Sequence, residues 1–241
     1  MLKDGEMQIT HQGIAISKSN VLLDGQHRLL AIAHTGISAK MMITYDMPDT
    51  VFAVLDTGGK RTSSDVLSIN GASNATTMAA GIRLYMLYNE VPHLTWTGSN
   101  PKILLSSTKI NKEYHGDSLI WEWAASVARQ SHTAKLISPG PMCCLVYLAH
   151  KHSNFSKSFI ERFAMQLKEG DNLHALHPIL AYRNKMIHAS ASTAQARLAD
   201  FVKLFNACAT GQSLKVFKSQ AFPPMPSLID SSESIFDNAC A

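Results

Sequence analysis

Asp24-Gly25-Gln26-His27-Arg28-Leu29-Leu30-Ala31 is the octet on which the reading of this 241-residue chain turns. It follows the apolar run Val21-Leu22-Leu23 and opens a segment in which Leu29, Ile32 and Ala33 fall at i, i+3 and i+4, the spacing of a helix with a core-facing stripe. The order is therefore strand, glycine, then a polar and basic first helical turn. Two readings fit it. In one, Asp24 is a helix N-cap that also suits the helix dipole, and Gln26, His27 and Arg28 are a solvated first turn. In the other, the same helix start is an anion site. Its unpaired N–H groups carry about half a positive charge, and Gly25 lets a phosphate approach the backbone. Arg28 then offers a two-pronged fork and His27 a further donor.

Outward from the octet, residues 13–17 read as a strand, Lys18-Ser19-Asn20 as a tight turn and 21–24 as a second strand, which together predict a hairpin. The helix over 25–34 ends at Gly36, a natural C-cap. A third strand is expected over 39–45, a short helix over 48–55, and another helix over 64–69. Beyond Gly71 the composition becomes helical. The segment 75–88 sets Met78, Ile82, Tyr85 and Met86 on one face, and helical patterns recur at about 116–130, 139–151, 155–168, 177–188 and 193–209. Strand alternation returns only at 214–217, and 219–241, with its prolines and serines, reads as a tail. The fold class is α+β, with a small α/β unit over 1–70 and a larger all-helical domain over 71–218. Seventy residues with three strands make a marginal core. The sheet is expected to lean on the helices or to lack a partner.

Composition narrows the function classes. Hydrophobic residues make up 46%, enough for a substantial core, and a net charge of +4 suits anionic partners without requiring nucleic acid. No apolar stretch is long enough to span a membrane, and residues 1–6 lack a signal-peptide core. Of the four cysteines, Cys143 and Cys144 are adjacent and Cys208 and Cys240 distant, which is neither a disulfide framework nor a zinc spacing and points to a reduced, cytoplasmic protein. His174 and His177 stand three apart with no Cys or carboxylate cluster beside them. Trp121, Trp123, Tyr147, Phe159 and Phe163 read as core. Arg183, Lys185 and His188 read as a basic helix end, and Lys203, Lys215 and Lys218 as a dispersed basic surface. No Ser–His–Asp order, HExxH, Walker A or GxGxxG occurs.

The octet resembles the phosphate-binding box shared by ParB-type CTP-binding domains and sulfiredoxins: Gly, two polar or basic residues, Arg, two variable residues, Ala. Gly25, Gln26, His27, Arg28 and Ala31 match it position by position. The string is also similar to DGQHR-domain proteins associated with DNA phosphorothioation, and the wider pattern to ParB-like proteins of bacteria and phages. There the box is followed by a D-T-G-x-x-R-T turn and a helical domain, here Asp56-Thr57-Gly58-Gly59-Lys60-Arg61-Thr62. The resemblance implies a ParB/sulfiredoxin-like unit that grips the phosphates of CTP or ATP through Gly25, Gln26, His27 and Arg28. Lys60 and Arg61 would form a second clamp. Asp24 and Asp56 would be the carboxylates for Mg²⁺, and Asp24 and His27 the only groups in the box suited to catalysis. The sulfiredoxin box carries a reactive Cys where Gln26 stands, and no Cys lies in 1–70, so that thiol chemistry is excluded. ParB-like domains also carry an upstream strand and helix. This chain begins almost at its first strand, so the resemblance implies a truncated pocket.

Three functions follow as expectations. The first is a nucleotide-binding switch or accessory factor, with slow NTP hydrolysis, in a DNA-associated bacterial or phage system; DNA and a second copy of the chain are its implied partners. The second is a metal-dependent ParB-like nuclease or phosphotransferase. The third is a non-catalytic DNA-binding or assembly protein whose box has become structural.

Overall fold

The structure, a computed structural model, describes residues 13–53, 62–97, 103–190, 192–219 and 223–235. The chain divides into two compact units, Met1–Thr62 and Ser63–Ala241. Among the described residues they hold a three-stranded sheet and nine α-helices, an α+β composition.

In the first unit, β1 (Ile14–Ser17) lies between β2 (Leu22–Asp24), with which it is antiparallel, and β3 (Ile43–Met47), with which it is parallel. The expected hairpin is present. Its turn closes through the Ser17 N–H on the Val21 carbonyl at 2.9 Å and the Val21 N–H on Ser17 Oγ at 3.1 Å, with Asn20 at φ 60°. The Ser19 hydroxyl donates to Asp49 Oδ1 at 2.5 Å, and hydrogen bonds from Ser17 and Ser19 hold that carboxyl below its ordinary pKa. The helix α1 (Gln26–Thr35) ends at Gly36 in the left-handed region, as expected. The third strand starts at Ile43 rather than 39. Residues before it pass Gly13 so closely that a Cβ there would lie 2.1 Å from the Met42 carbonyl oxygen, and Asp46 at φ 58° breaks the register before Met47 pairs with Ser17. The helix expected over 48–55 is a short 3-10 turn, Asp49–Ala53. The core stripe expected of Leu29, Ile32 and Ala33 is not formed: no residue of α1 is buried, and Leu30 beside the stripe is 55% exposed. Ile14 and Leu23 are the buried apolar side chains of this unit among the described residues.

The second unit begins with α2 (Ser63–Ile69), whose Val66 and Leu67 are buried and which packs on α3 (Ala75–Glu90) and α4 (Ser107–Gly116). The boundary expected at residue 70 therefore lies before α2. Then come α5 (Ser118–Gln130), α6 (Pro139–Lys151), α7 (Lys157–Glu169), α8 (Pro178–Ile187) and α9 (Ala194–Ala209). Every residue of α6 from Gly140 to Ala149 is buried, as only a helix surrounded by others can be. It packs on α3, α5, α7 and α9. Met78 and Ile82 of α3 are fully buried and Tyr85 and Met86 flank them. Trp121, Tyr147, Phe159 and Phe163 are core, but Trp123 is only partly buried: its Nε1–H donates to Glu161 at 2.6 Å and Lys157 lies 4.8 Å over its ring. The strand expected over 214–217 does not form, and Phe217 is buried as an irregular segment.

Two further expectations change. The helix α4 is absent from the sequence reading because it presents only Ile110 and Tyr114 to the core; Ser106 caps it by accepting the Lys109 N–H at 3.3 Å. Residues 223–235 are not a loose tail. The Met225 N–H bonds the Pro92 carbonyl at 2.9 Å, the Tyr88 hydroxyl donates to the Pro226 carbonyl at 2.9 Å, and the Leu228 N–H donates to that hydroxyl at 3.1 Å. Further along, the Ile235 N–H bonds the Ala209 carbonyl at 3.1 Å, so the segment straps α3 to α9.

The tightest approach in the core is between α3 and α6. A Cβ on Gly81 would lie 2.7 Å from Cys143 Sγ, and one on Gly140 2.8 Å from Ala80 Cβ. Gly81→Ala gains about 1 kcal/mol of helix propensity but overpacks a site that cannot yield, at a cost of about 1–3 kcal/mol. It is expected to lower the melting temperature. Gly116→Ala meets nothing within 4 Å and is expected to leave the melting temperature unchanged or raise it. Thermal denaturation of the two variants side by side checks this.

Candidate functional site

The octet's glycine sets the geometry. Gly25 sits at φ 98°, a left-handed conformation open to glycine, and it, not Asp24, is the N-cap of α1. The helix consequently starts one residue later than Asp24 capping requires. Asp24 Oδ1 instead accepts the Gly25 N–H at 2.7 Å. The space a Cβ would need at Gly25 is filled by the sheet, with Ile14 Cγ1 at 2.9 Å. The missing side chain thus serves contact with β1 as well as the turn. Arg28 folds back across the same strand, its Nη1–H donating to the Gly13 carbonyl at 2.7 Å. Gln26 and His27 are exposed. No side chain caps the helix, and the amides of Gln26 and His27 have no acceptor among the described residues.

The structure thus brings Asp24, Gly25, Gln26, His27 and Arg28 together at one helix start. Asp56, Lys60 and Arg61 lie outside the described residues, so the second clamp and the second Mg²⁺ carboxylate are not placed. Among the described residues no three His, Cys, Asp or Glu side chains group as metal ligands. The His174 and His177 rings are 5.3 Å apart, and His177 Nδ1 accepts the Ile179 N–H as the cap of α8. A phosphate fits what is present: two unsatisfied amides, an imidazole, a carboxamide and a guanidinium already held at one end.

Several cations of the helical unit are committed to structure. Arg183 Nη1–H donates to the Leu167 and Lys168 carbonyls, each at 2.6 Å, closing the end of α7. Lys185 pairs with Asp200 at 2.5 Å, and Lys203 Nζ donates to the Lys218 carbonyl at 2.8 Å. Among the described residues no helix is long and apolar enough to cross a membrane.

A titratable cluster that sequence reading missed lies where α3, α4, α5 and α6 meet. Trp121 and Tyr147 stack at 3.7 Å, and Tyr85 meets both edge-on. Tyr85 Oη and His152 Nε2 are 2.8 Å apart, the Tyr147 hydroxyl donates to Asp117 Oδ2 at 3.2 Å, and Lys151 Nζ pairs with the same oxygen at 2.8 Å. Partial burial, then the Asp117 charge, pushes the Glu113 carboxyl up; burial, then Lys151, pushes the His152 imidazole down. Burial raises both tyrosines. These residues are 67 positions apart from Tyr85 to His152, so no local motif marks them.

No family model matches the chain, and neither a curated protein nor a solved structure matches it.

Two outcomes are expected. Gly25→Ala forces a side chain into the left-handed region, at about 1–2 kcal/mol before any overlap with Ile14. With so little apolar burial behind it, the first unit should lose its amide protection in hydrogen exchange while the second keeps its own. Glu113 gives the second. Its folded pKa is raised, so its contribution to stability is present below the ordinary value of 4.5 and lost as pH rises through the folded pKa. Glu113→Gln should therefore raise the melting temperature at neutral pH, and melts at decreasing pH should show that gain vanish below pH 4.5.

Proposed function

We propose that the chain is a ParB-like phosphate-binding protein whose first unit takes the phosphates of CTP or ATP at the start of α1. It would serve as a cytoplasmic switch or accessory factor of a DNA-associated bacterial or phage system. The observation that carries this is the uncapped first turn of α1, where Gly25 is at φ 98° and the Gln26 and His27 amides, beneath two exposed polar side chains, have no acceptor among the described residues. The resemblance of the octet and of the ordered downstream turn supports nucleotide over other anions.

Each residue then has a role. Gln26 and His27 bind phosphate oxygens through their amides and side chains. Arg28, anchored on the Gly13 carbonyl, adds positive charge from a fixed position. Asp24 holds the Gly25 amide and so shapes the turn. A carboxylate at this mouth repels a bare phosphate, and Mg²⁺ carried by the triphosphate relieves that repulsion.

The test is thermal stability with and without each nucleotide and Mg²⁺, followed by a signal specific to the first unit, since two units need not melt together. CTP or ATP at a hundredfold over its Kd is expected to stabilise that unit by about 2.7 kcal/mol. Gln26→Ala/His27→Ala, both at exposed positions, should abolish the shift while leaving the unliganded melt in place. No shift with any nucleotide, or one that survives the double substitution, overturns the reading. Arg28→Ala is less informative, because it also removes the Gly13 contact.

A further inference from the structure

The second unit holds its own anion-receptive cavity, independent of α1. Ala75, Thr76 and Thr77 of α3, Pro139 and Gly140 of α6, and Arg129 of α5 line a cavity of about 470 Å³. Two helices thus begin at one place. Neither is capped: Asn74 is at φ 53° and Ser138 is extended, and neither side chain accepts from the turn it precedes. The Met78 N–H reaches the Asn74 carbonyl at 3.0 Å, but the amides of Ala75, Thr76 and Thr77 have no acceptor among the described residues. In α6 the Met142 N–H reaches the Ser138 carbonyl at 3.1 Å, and Pro139 and Pro141 have no N–H, so Gly140 is the amide donor of that turn.

Two side chains make this more than a pair of helix starts. Thr77 is 7% exposed, lines the cavity, and its hydroxyl bonds nothing among the described residues. That hydroxyl is not sealed from solvent, and it lies at the edge of a space that an acceptor can enter. Arg129 lines the same space, and its guanidinium makes no ion pair or hydrogen bond among the described residues. Glu122, seven residues earlier on α5, does not fill the need. It accepts from the Ser73 N–H at 3.2 Å, the Ser73 hydroxyl at 2.5 Å and the Tyr114 hydroxyl at 3.1 Å, stopping short of the α3 amides. The tight Gly140–Ala80 contact keeps the two starts together whether or not a ligand is bound.

We propose that this cavity binds a phosphate group, either free or carried by a small phosphomonoester. The amides of Ala75, Thr76, Thr77 and Gly140 and the Thr77 hydroxyl donate to its oxygens, and Arg129 balances its charge.

The test is a titration of the ¹⁵N-labelled full chain with inorganic phosphate, and separately with AMP, at constant ionic strength. The expected result is a saturable shift of the Ala75, Thr76, Thr77 and Gly140 amides. Arg129→Gln, at an exposed position, should weaken it about tenfold. Thr77→Val should also weaken it while leaving the melting temperature without phosphate close to that of the unaltered chain. Tighter binding of AMP identifies a nucleotide as the source, equal binding identifies free phosphate, and both support the site. Absence of saturable shifts at those four amides, or shifts unchanged in both variants, overturns it. Any shifts at Gln26 and His27 report α1 separately.

Discussion

The close crossing of α3 and α6 is the contact on which the helical unit depends. Gly81 faces Cys143 and Gly140 faces Ala80 with no room for a further carbon, so the two helices pack closely at both glycines. That approach buries α6 on its α3 side, and α5, α7 and α9 close the remaining sides of a segment with no exposed residue from Gly140 to Ala149. The buried position of Cys143 and Cys144 follows, with burial pushing both thiols up and leaving them unreactive. So does the meeting of two uncapped helix starts: the packing that fills the core also gathers at its edge four amides with no acceptor among the described residues.

The first unit is held differently. Among its described residues Ile14 and Leu23 are the buried apolar side chains, and polar contacts join the rest: Ser17 across the hairpin, Ser19 to Asp49, Asp24 to Gly25, and Arg28 to Gly13. This sorts the octet into two kinds of residue. Asp24, Gly25 and Arg28 each answer a local structural need, whereas Gln26 and His27 answer none and stand in solvent. A motif can be held in place by its most distinctive residues while its chemistry rests on the least distinctive.

Much of this was legible in the sequence, for reasons that differ along the chain. The hairpin and α1 announced themselves through a polar turn and a glycine at each end of the helix. The helices α3 and α5 to α9 announced themselves through apolar residues at helical spacing. What escaped was whatever depends on partners far away in sequence. The α4 helix buries too few apolar residues to show a period. The apolar stripe of α1 is real in the sequence but is not buried against any of the described residues of its own unit. The segment 214–217 alternates like a strand without a strand to pair with. Asp24 has a cap's chemistry, but Gly25 takes the cap's place because only glycine can turn against Ile14. The Tyr85–His152 cluster and the α3–α6 cavity arise only once four helices are assembled.

The strap over 223–235 imposes an order on assembly. The Tyr88 hydroxyl bonds residues 138 and 140 positions further along the chain. As the polypeptide leaves the ribosome, α3 and α9 are both made before the segment that ties them together. The strap follows α9 in the chain, so its contacts are among the last to settle. A nascent chain arrested before it would carry an assembled helical core with Tyr88 still unmated and one flank of α9 bare. That intermediate is the form most open to a chaperone or a protease.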